Sequence, residues 1–176
     1  MIARFMVILL VGGTVLAGFG AWYLTVYAYY DRLPAQDSVA LTPLGAAAVQ
    51  DQPVSAFQGI DSESSPIRYR ACFTLEADPA QFTPYPEAAP LIAPNWFDCF
   101  DARAIGAALE DGRAQAVLGQ AHIRYGIDRV VAVYPDGRAF AWHQINRCGE
   151  AHFDGDPVPP GCPPPPERLA ERPAER

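Results

Sequence analysis

Two histidines and a cysteine near the carboxyl-terminal end of the chain have the residue types and the spacing of metal ligands. His143, Cys148 and His152 follow the pattern H-x4-C-x3-H, and imidazole nitrogen and thiolate sulfur bind zinc and copper ions. A disulfide at Cys148 would remove the thiolate, however, and structural or surface histidines are the simpler interpretation. We keep His143 and His152 as speculative ligands of a metal ion or a small molecule, and we predict no cofactor.

Two aspartates flank Cys99 and are the best candidates for acid–base chemistry. Asp98 and Asp101 could form a carboxylate pair whose two pKa values are pushed apart. The simpler interpretation is that Asp101 caps a helix while Asp98 is solvated. The sequence contains no serine hydrolase, P-loop, dinucleotide-binding or H-E-x-x-H motif. We therefore expect a protein that is not an enzyme and that has no catalytic residue.

Six arginines lie on or beside predicted strands. If several of them shared an exposed face of the sheet, they would form a basic patch that suits a carboxylate or phosphate group. Cross-strand pairing with aspartate and glutamate is the alternative, and it is the one that we favour. The six are Arg68, Arg70, Arg124, Arg129, Arg138 and Arg147.

The chain as a whole is acidic, which limits its partners. Its 176 residues include 20 acidic and 13 basic ones, and the formal net charge is −7. A protein of this charge is repelled by nucleic acid and by anionic lipid surfaces. We expect neither nucleic-acid binding nor peripheral adhesion to a membrane.

Residues 5–30 predict one transmembrane helix after a short amino-terminal segment, residues 1–4. Their first 20 residues carry no charge, and at 1.5 Å per residue they span about 30 Å, the thickness of a bilayer core. A cleaved signal peptide has a shorter apolar run that ends in small residues. Here the run ends in rings that favour the membrane interface, namely Trp22, Tyr23, Tyr27, Tyr29 and Tyr30.

Small residues recur along one face of this helix, at Gly13, Ala17, Gly20 and Ala21. Such a stripe allows two helices to approach closely in lipid. We therefore expect the helix to lie in the lipid bilayer and to pack against a membrane-protein partner or a second copy of itself. The alternative is that small residues are simply common in such helices.

Four cysteines, Cys72, Cys99, Cys148 and Cys162, bear on the orientation of the helix. Their number is even and none forms a C-x-x-C pair, which indicates two structural disulfides outside the cytoplasm. Three pairings are possible; we expect Cys72–Cys99 and Cys148–Cys162, which close two short, separate loops. Arg4 favours a cytoplasmic amino terminus, although Arg32 weakens this bias. We expect the bacterial inner membrane, with a periplasmic carboxyl-terminal domain.

The rest of the chain predicts an α+β fold with a small antiparallel sheet. We expect a spacer over 31–55, a globular domain over 56–153 and a proline-rich, largely disordered tail over 154–176. Alternating residues predict a strand over 67–75 and a hairpin over 127–145. Asp101 and Gly112 bound a helix over 102–111, and a second short helix is predicted over 113–118.

Three stretches resemble a small alphaproteobacterial family of unknown function whose members carry an amino-terminal anchor. They are "FQGIDSESSPIRYRACFTL", "WFDCFDARAIGAAL" and "YGIDRVVAVYPDGRAFAWHQINRCGE", followed by "GCPPPP". Such proteins are sometimes labelled histidine kinases, but this chain is too short for such an enzyme and has no glycine-rich nucleotide-binding box. The resemblance implies no activity and no catalytic residue.

We expect, first, a non-enzymatic accessory, assembly or interaction protein of the cell envelope. The second hypothesis is a periplasmic sensor domain that binds a small ligand or a metal ion. The third and weakest is an envelope enzyme, which would need a pocket that joins acidic or histidine side chains with shifted pKa values.

Overall fold

A computed structural model describes residues 2–166. An amino-terminal helix, α1 (Ile2–Val26), is followed by seven strands and two short helices. The strands are β1 (Asp31–Arg32), β2 (Ser38–Leu41), β3 (Gln50–Asp61), β4 (Arg70–Leu75), β5 (Gln115–Arg124), β6 (Ile127–Val133) and β7 (Arg138–Ile145). The short helices are α2 (Ala102–Glu110) and α3 (Arg147–Asp154), and one 3-10 turn covers Pro79–Gln81.

All seven strands pair antiparallel. The order across the sheet is β1-β3-β4-β7-β6-β5, and β2 pairs with the first half of β3. The sheet curls so that the end of β2 reaches the opposite edge strand, where the amide of Thr42 donates to the carbonyl of Leu118 at 3.0 Å and its hydroxyl to that of Gly119 at 2.9 Å. The curl gives the sheet an inner and an outer face.

Each face carries its own apolar core, because successive residues of a strand point to opposite sides. The inner core contains Val39, Leu41, Phe57, Tyr69, Phe73, Leu75, Phe82, Val117, Val131 and Val133, with several alanines. The outer core is centred on Trp142 and is covered by the loop after β4 and by α2, through Phe97, Phe100 and Ile105. The helix α2 begins where predicted, since the Asp101 carboxylate accepts from the amides of Arg103 and Ala104.

The α+β class, the antiparallel sheet, the hairpin and α2 are confirmed. The spacer prediction over 31–55 is wrong, because β1, β2 and the first half of β3 lie there. The strands form because β1 and β2 pair with β3, and within β2 the alternating Val39 and Leu41 are 3% and 0% exposed. The predicted strand over 67–75 begins at Arg70, and the predicted transmembrane helix over 5–30 ends at Val26.

Two further predictions are corrected at the carboxyl-terminal half. Residues 113–118 are not a helix: residues 113 and 114 form a bend and β5 begins at Gln115, because pairing of Gln115 and its successors with β6 outweighs the helical propensity of the alanines. The tail predicted from residue 154 starts too early: Asp154 ends α3, and Cys162 is bonded to Cys148. The remainder of that tail, residues 167–176, lies outside the described residues.

Candidate functional site

Both predicted disulfides are present. Cys72 of β4 is bonded to Cys99, which fastens the loop before α2 to the outer face of the sheet. Cys148 of α3 is bonded to Cys162, which fastens the segment after α3 back onto that helix. Over the described residues all four cysteines are therefore structural, and Cys148 has no thiolate to offer a metal.

The two histidines proposed as ligands lie in different places. His143 is buried on the inner face of β7, where Nδ1 lies 2.8 Å from the carbonyl oxygen of Pro66. His152 lies on α3 with its ring edge against Tyr125, at 5.0 Å between centroids. Among residues 2–166, no group of three or more histidine, cysteine, aspartate or glutamate side chains is placed to hold a metal ion.

The two aspartates of the proposed acid–base pair are both exposed. Asp101 serves as the cap of α2, through hydrogen bonds of 2.9 and 3.1 Å from the amides of Arg103 and Ala104. Asp98 makes no side-chain hydrogen bond within the described part of the chain. Both residues line one cleft of about 510 Å³, and within the described residues no hydrogen bond joins their carboxyl groups.

The arginines do not form the cross-strand ion pairs that we favoured. Within residues 2–166 the ion pairs are Arg113–Asp111 and Arg138–Asp136, each between residues two positions apart in a turn. Arg70 is instead buried on the outer face, 3% exposed. Its guanidinium donates to four backbone carbonyls at 2.6–3.2 Å, those of Ile67, Tyr69, Leu91 and Ile92. Burial lowers the pKa of Arg70 to about 10.

Four polar side chains lie side by side on the inner face, and we call them the inner rung: Asp61, Tyr69, His143 and Arg129. The rings of Tyr69 and His143 stack at 4.4 Å. The guanidinium of Arg129 lies 4.3 Å from the centre of the Tyr69 ring. Arg129 Nε donates to His143 Nε2 at 3.1 Å, so Nδ1 of a neutral His143 carries the proton and donates to Pro66.

The electrostatics of the inner rung are unusual. Burial, and then the positive charge of Arg129, lowers the pKa of His143 to about 3, so the ring is neutral at physiological pH. Burial raises the pKa of Tyr69 and that of Asp61. The charge of Arg124 acts on both Asp61 and His143. The Tyr69 hydroxyl is buried and, among the described residues, has no hydrogen-bond partner.

A second polar cluster lies at the hairpin end of β5 and β6, around Asp128, which is 6% exposed. Its carboxylate accepts from the amide of His122 at 2.9 Å, from the side-chain amide of Asn146 at 2.7 Å and from the Tyr85 hydroxyl at 3.1 Å. Burial and the Asp128 charge raise the pKa of Tyr85. A cleft of about 270 Å³ borders these residues. Because every donor already points at Asp128, the cluster fastens the loop at Tyr85 to the sheet.

A cleft of about 850 Å³ lies between α2 and the loop that contains Pro79 and Pro90. Its walls are mainly proline, alanine and other apolar side chains, with Arg103 and Glu110 among them. It adjoins Tyr85 but reaches no residue of the inner rung. The cleft therefore offers an apolar surface without a constellation of reactive groups.

The end of α1 is attached to the domain by an aromatic collar, which consists of Tyr27, Tyr29, Tyr30 and Trp96. The indole of Trp96 donates to the carbonyl of Val26 at 2.8 Å and stacks on Tyr27 at 6.0 Å. Arginine side chains cover the outside of the collar. Arg32 lies over Trp96, and Arg68 lies over Tyr29 and Tyr30, all at 5.2–5.5 Å.

Upstream of the collar, α1 makes no packing contact that buries any of its residues. It is long and apolar enough to cross a membrane, by length and composition. A side chain at Gly13 or Gly20 would meet nothing within 4 Å. The stripe of Gly13, Ala17, Gly20 and Ala21 is thus open to a neighbouring helix.

The sequence argument missed Asp61 and Tyr69 of the inner rung, and Tyr85, Asp128 and Asn146 of the second polar cluster. One signal was available: Tyr69 sits between Arg68 and Arg70 at the start of an otherwise apolar strand, and Asp128 and Arg129 interrupt the apolar run of β6. Polar groups placed at core positions of a strand usually have a partner. Which partner they have depends on pairings between distant strands.

A family model, described as a family of unknown function (DUF6446), matches residues 39–163. The matched segment runs from β2 past Cys162, so it contains both disulfides and the whole inner rung, while α1 precedes it. No curated protein and no solved structure matches the chain significantly. The match covers well over half of the 176 residues, and the chain therefore belongs to DUF6446, a family of unknown function.

Proposed function

We propose that this is a single-pass membrane protein whose disulfide-bonded domain lies outside the cytoplasm and acts as a non-enzymatic accessory protein for a membrane-protein partner. The observation that carries the proposal is the aromatic collar. It joins an apolar helix with no buried residue to the domain through the Trp96–Val26 hydrogen bond. Rings of this kind favour the membrane interface, so the domain would sit directly on the bilayer surface.

The two disulfides support a location of the domain outside the cytoplasm. Such bonds persist in oxidising compartments and are rare in the cytoplasm of mesophiles. The arginine count gives less direction, because Arg4 precedes the helix while Arg32 and Arg68 follow it. A bacterial inner membrane with a cytoplasmic amino terminus and a periplasmic domain is the arrangement that we infer.

Protease treatment of spheroplasts tests the orientation. Added protease should digest the domain, and a peptide map of the untreated protein without reductant should contain Cys72–Cys99 and Cys148–Cys162. A domain that is protected in spheroplasts and digested only after lysis, with free thiols at all four cysteines, would overturn the extracytoplasmic assignment.

The partner is tested by affinity purification of the full chain from mild detergent, followed by mass spectrometry. We expect Gly13→Ile with Ala17→Ile to remove a co-purifying membrane protein or a second copy of the chain. Gly18→Ile is the control. It makes the same glycine-to-isoleucine change about 140° around the helix from Gly13 and about 100° from Ala17. Equal recovery of the partner with the stripe variant and the control would exclude helix packing.

A second candidate function, a sensor domain that binds a small ligand, is favoured by one observation. Tyr69 in the inner rung is 2% exposed, and its buried hydroxyl has no hydrogen-bond partner among residues 2–166. Buried hydroxyls are nearly always hydrogen bonded to protein, water or ligand. A metal ion is less suited to this place, since both ring nitrogens of His143 are engaged by Pro66 and Arg129.

A further inference from the structure

We propose that the inner rung binds a small oxyanion, a carboxylate or phosphate group, held by the Tyr69 hydroxyl and by the guanidinium group of Arg129. The inference deepens the second candidate function by naming the class of ligand. The inference rests on that candidate function but not on the membrane topology, because anion binding by the purified protein does not depend on which side of the membrane the domain occupies.

The register of four strands brings the inner rung together. Gly59, Ala71, Ala141 and Val131 are successive Cα partners across β3, β4, β7 and β6. One pleat further along each strand, on the same face, stand Asp61, Tyr69, His143 and Arg129. The inner rung is therefore a single row of polar side chains across the sheet, at one end of a face that is otherwise apolar.

The Tyr69 hydroxyl is the group that lacks a partner in this row. Tyr69 is 2% exposed, and its oxygen is the one buried side-chain polar atom within residues 2–166 that makes no hydrogen bond. Arg129 and His143 are hydrogen bonded to each other, so both lie on the same side of the Tyr69 ring. The hydroxyl at the ring edge is left to donate to another acceptor.

The charge around the hydroxyl favours an anion. Arg129 uses Nε for His143 and has no hydrogen bond from its two terminal nitrogens to residues 2–166. Arg124, at the end of β5, is exposed and makes no ion pair in that part of the chain. One carboxylate, Asp61, also makes no ion pair there. Arg129 and Asp61 are the charged groups that act on the pKa of Tyr69, and the effect of Arg129 is the larger. A guanidinium fork and a hydroxyl are the donors that carboxylate and phosphate oxygens prefer.

His143 acts as a positioning residue in this arrangement. Its Nδ1–H is held by the carbonyl of Pro66 and its Nε2 accepts from Arg129, so the ring fixes the direction of the guanidinium beside Tyr69. It stays neutral because Arg129, Arg70 and Arg124 add to the effect of burial in lowering its pKa. A cationic His143 could not accept the bond from Arg129.

Titration of the purified full-length protein in detergent tests the proposal, with inorganic phosphate and acetate as separate probes. Ionic strength is held constant with chloride, so that a general salt effect is not read as binding. We expect saturable heat of binding with at least one probe, and the probe that binds identifies the phosphate or the carboxylate class. We expect Tyr69→Phe and Arg129→Gln each to weaken binding at least tenfold.

Arg138→Gln is the matched control, since Arg138 is exposed and paired with Asp136 in a distant turn. Tyr69→Phe keeps the test valid if Arg129→Gln fails to fold, because it removes only the unpartnered oxygen. Absence of saturable binding with both probes would overturn the proposal, as the hydroxyl would then meet water alone. Equal affinity of the wild type and Tyr69→Phe would overturn it as well. Neither result bears on the protease experiment that tests the topology.

Discussion

The two faces of the sheet differ in how completely their buried polar groups are hydrogen bonded, and two consecutive residues illustrate this. Arg70 points to the outer face, where four carbonyls accept from its guanidinium. Tyr69 points to the inner face, where its hydroxyl finds no partner among residues 2–166. The outer face is closed by a covering loop, and the carbonyls of Leu91 and Ile92 in this loop are two of the four acceptors. Tyr69 and His143 of the inner rung are also buried, at 2% and 5% exposed, but the described residues offer the Tyr69 hydroxyl no acceptor.

This difference separates polar groups that stabilise the fold from polar groups that could bind a ligand. A polar group with every bond satisfied by the protein holds the fold together and has nothing left for a ligand. A buried group without a protein partner is destabilising unless water or a ligand completes its hydrogen bond. Four experiments test whether the two faces differ in this way.

Replacing the outer arginine should have the largest effect. Arg70→Met leaves up to four carbonyls, including those of Leu91 and Ile92, without their donor. We expect the free energy of unfolding to fall by about 3–5 kcal/mol, the cost of breaking a buried charged network. Chemical denaturation measures it, with exposed Arg138→Met as the control. A loss no greater than that of the control would mean that the outer face does not depend on Arg70.

Removing the outer disulfide should come next. Cys72 and Cys99 are 27 residues apart, and a loop of this length corresponds to about 3.5 kcal/mol of unfolded-state entropy. We expect Cys72→Ala with Cys99→Ala to lower the free energy of unfolding by about that amount. Cys148→Ala with Cys162→Ala should lower it less, since the released tail regains its freedom in the folded state too. If the Cys148→Ala, Cys162→Ala variant were the less stable of the two, the disulfide on the outer face would not be the main covalent support of the domain.

The pH dependence of stability tests the inner face. The pKa of His143 is about 3 in the folded protein, against 6.5 when unfolded. The unfolded state therefore binds the proton first as pH falls. Stability should be full above pH 6.5 and should decline below it, by up to about 1.4 kcal/mol per pH unit. Denaturation at several pH values between 6.5 and 4.5 measures the slope. His143→Gln should flatten it and His152→Gln should not; equal slopes in all three proteins would contradict the burial of a neutral His143.

The smallest effect, and the one of opposite sign, is expected for Tyr69→Phe. Removing a hydroxyl that makes no hydrogen bond should leave the free energy of unfolding unchanged or raise it by about 1 kcal/mol. Thermal or chemical denaturation without added phosphate or acetate measures it. A decrease of more than 1 kcal/mol would show that the hydroxyl already has a partner, and the contrast between the faces would disappear.

Local signals in the sequence predicted the elements that are formed by local interactions. The cap at Asp101, the glycine after α2 and the alternation in the hairpin each depend on neighbouring residues, so α2, β6 and β7 were placed correctly. The start of α3 was missed, although Asn146 caps it and Gly155, at φ +82°, ends it. The intervening Cys148 and Gly149 concealed the helical pattern.

Strands whose partners are distant in sequence could not be predicted in this way. β2 and the first half of β3 contain few large apolar residues, and they are strands because they pair with each other and because the end of β2 reaches β5. The inner rung depends on the register of four strands, from Asp61 to His143. Its residues were visible as polar interruptions, but the stacking of Tyr69 on His143 was not.

The four cysteines are bonded in consecutive pairs, Cys72 to Cys99 and Cys148 to Cys162. If the amino-terminal side of the domain crosses the membrane first, Cys99 would emerge while Cys72 is the only other thiol available, and the first bond would close before Cys148 appears. Thiol–disulfide exchange could then proceed by simple oxidation, without a mispaired intermediate that needs reshuffling. If the domain is exported as proposed, its maturation should therefore require an oxidase and tolerate the loss of a disulfide isomerase.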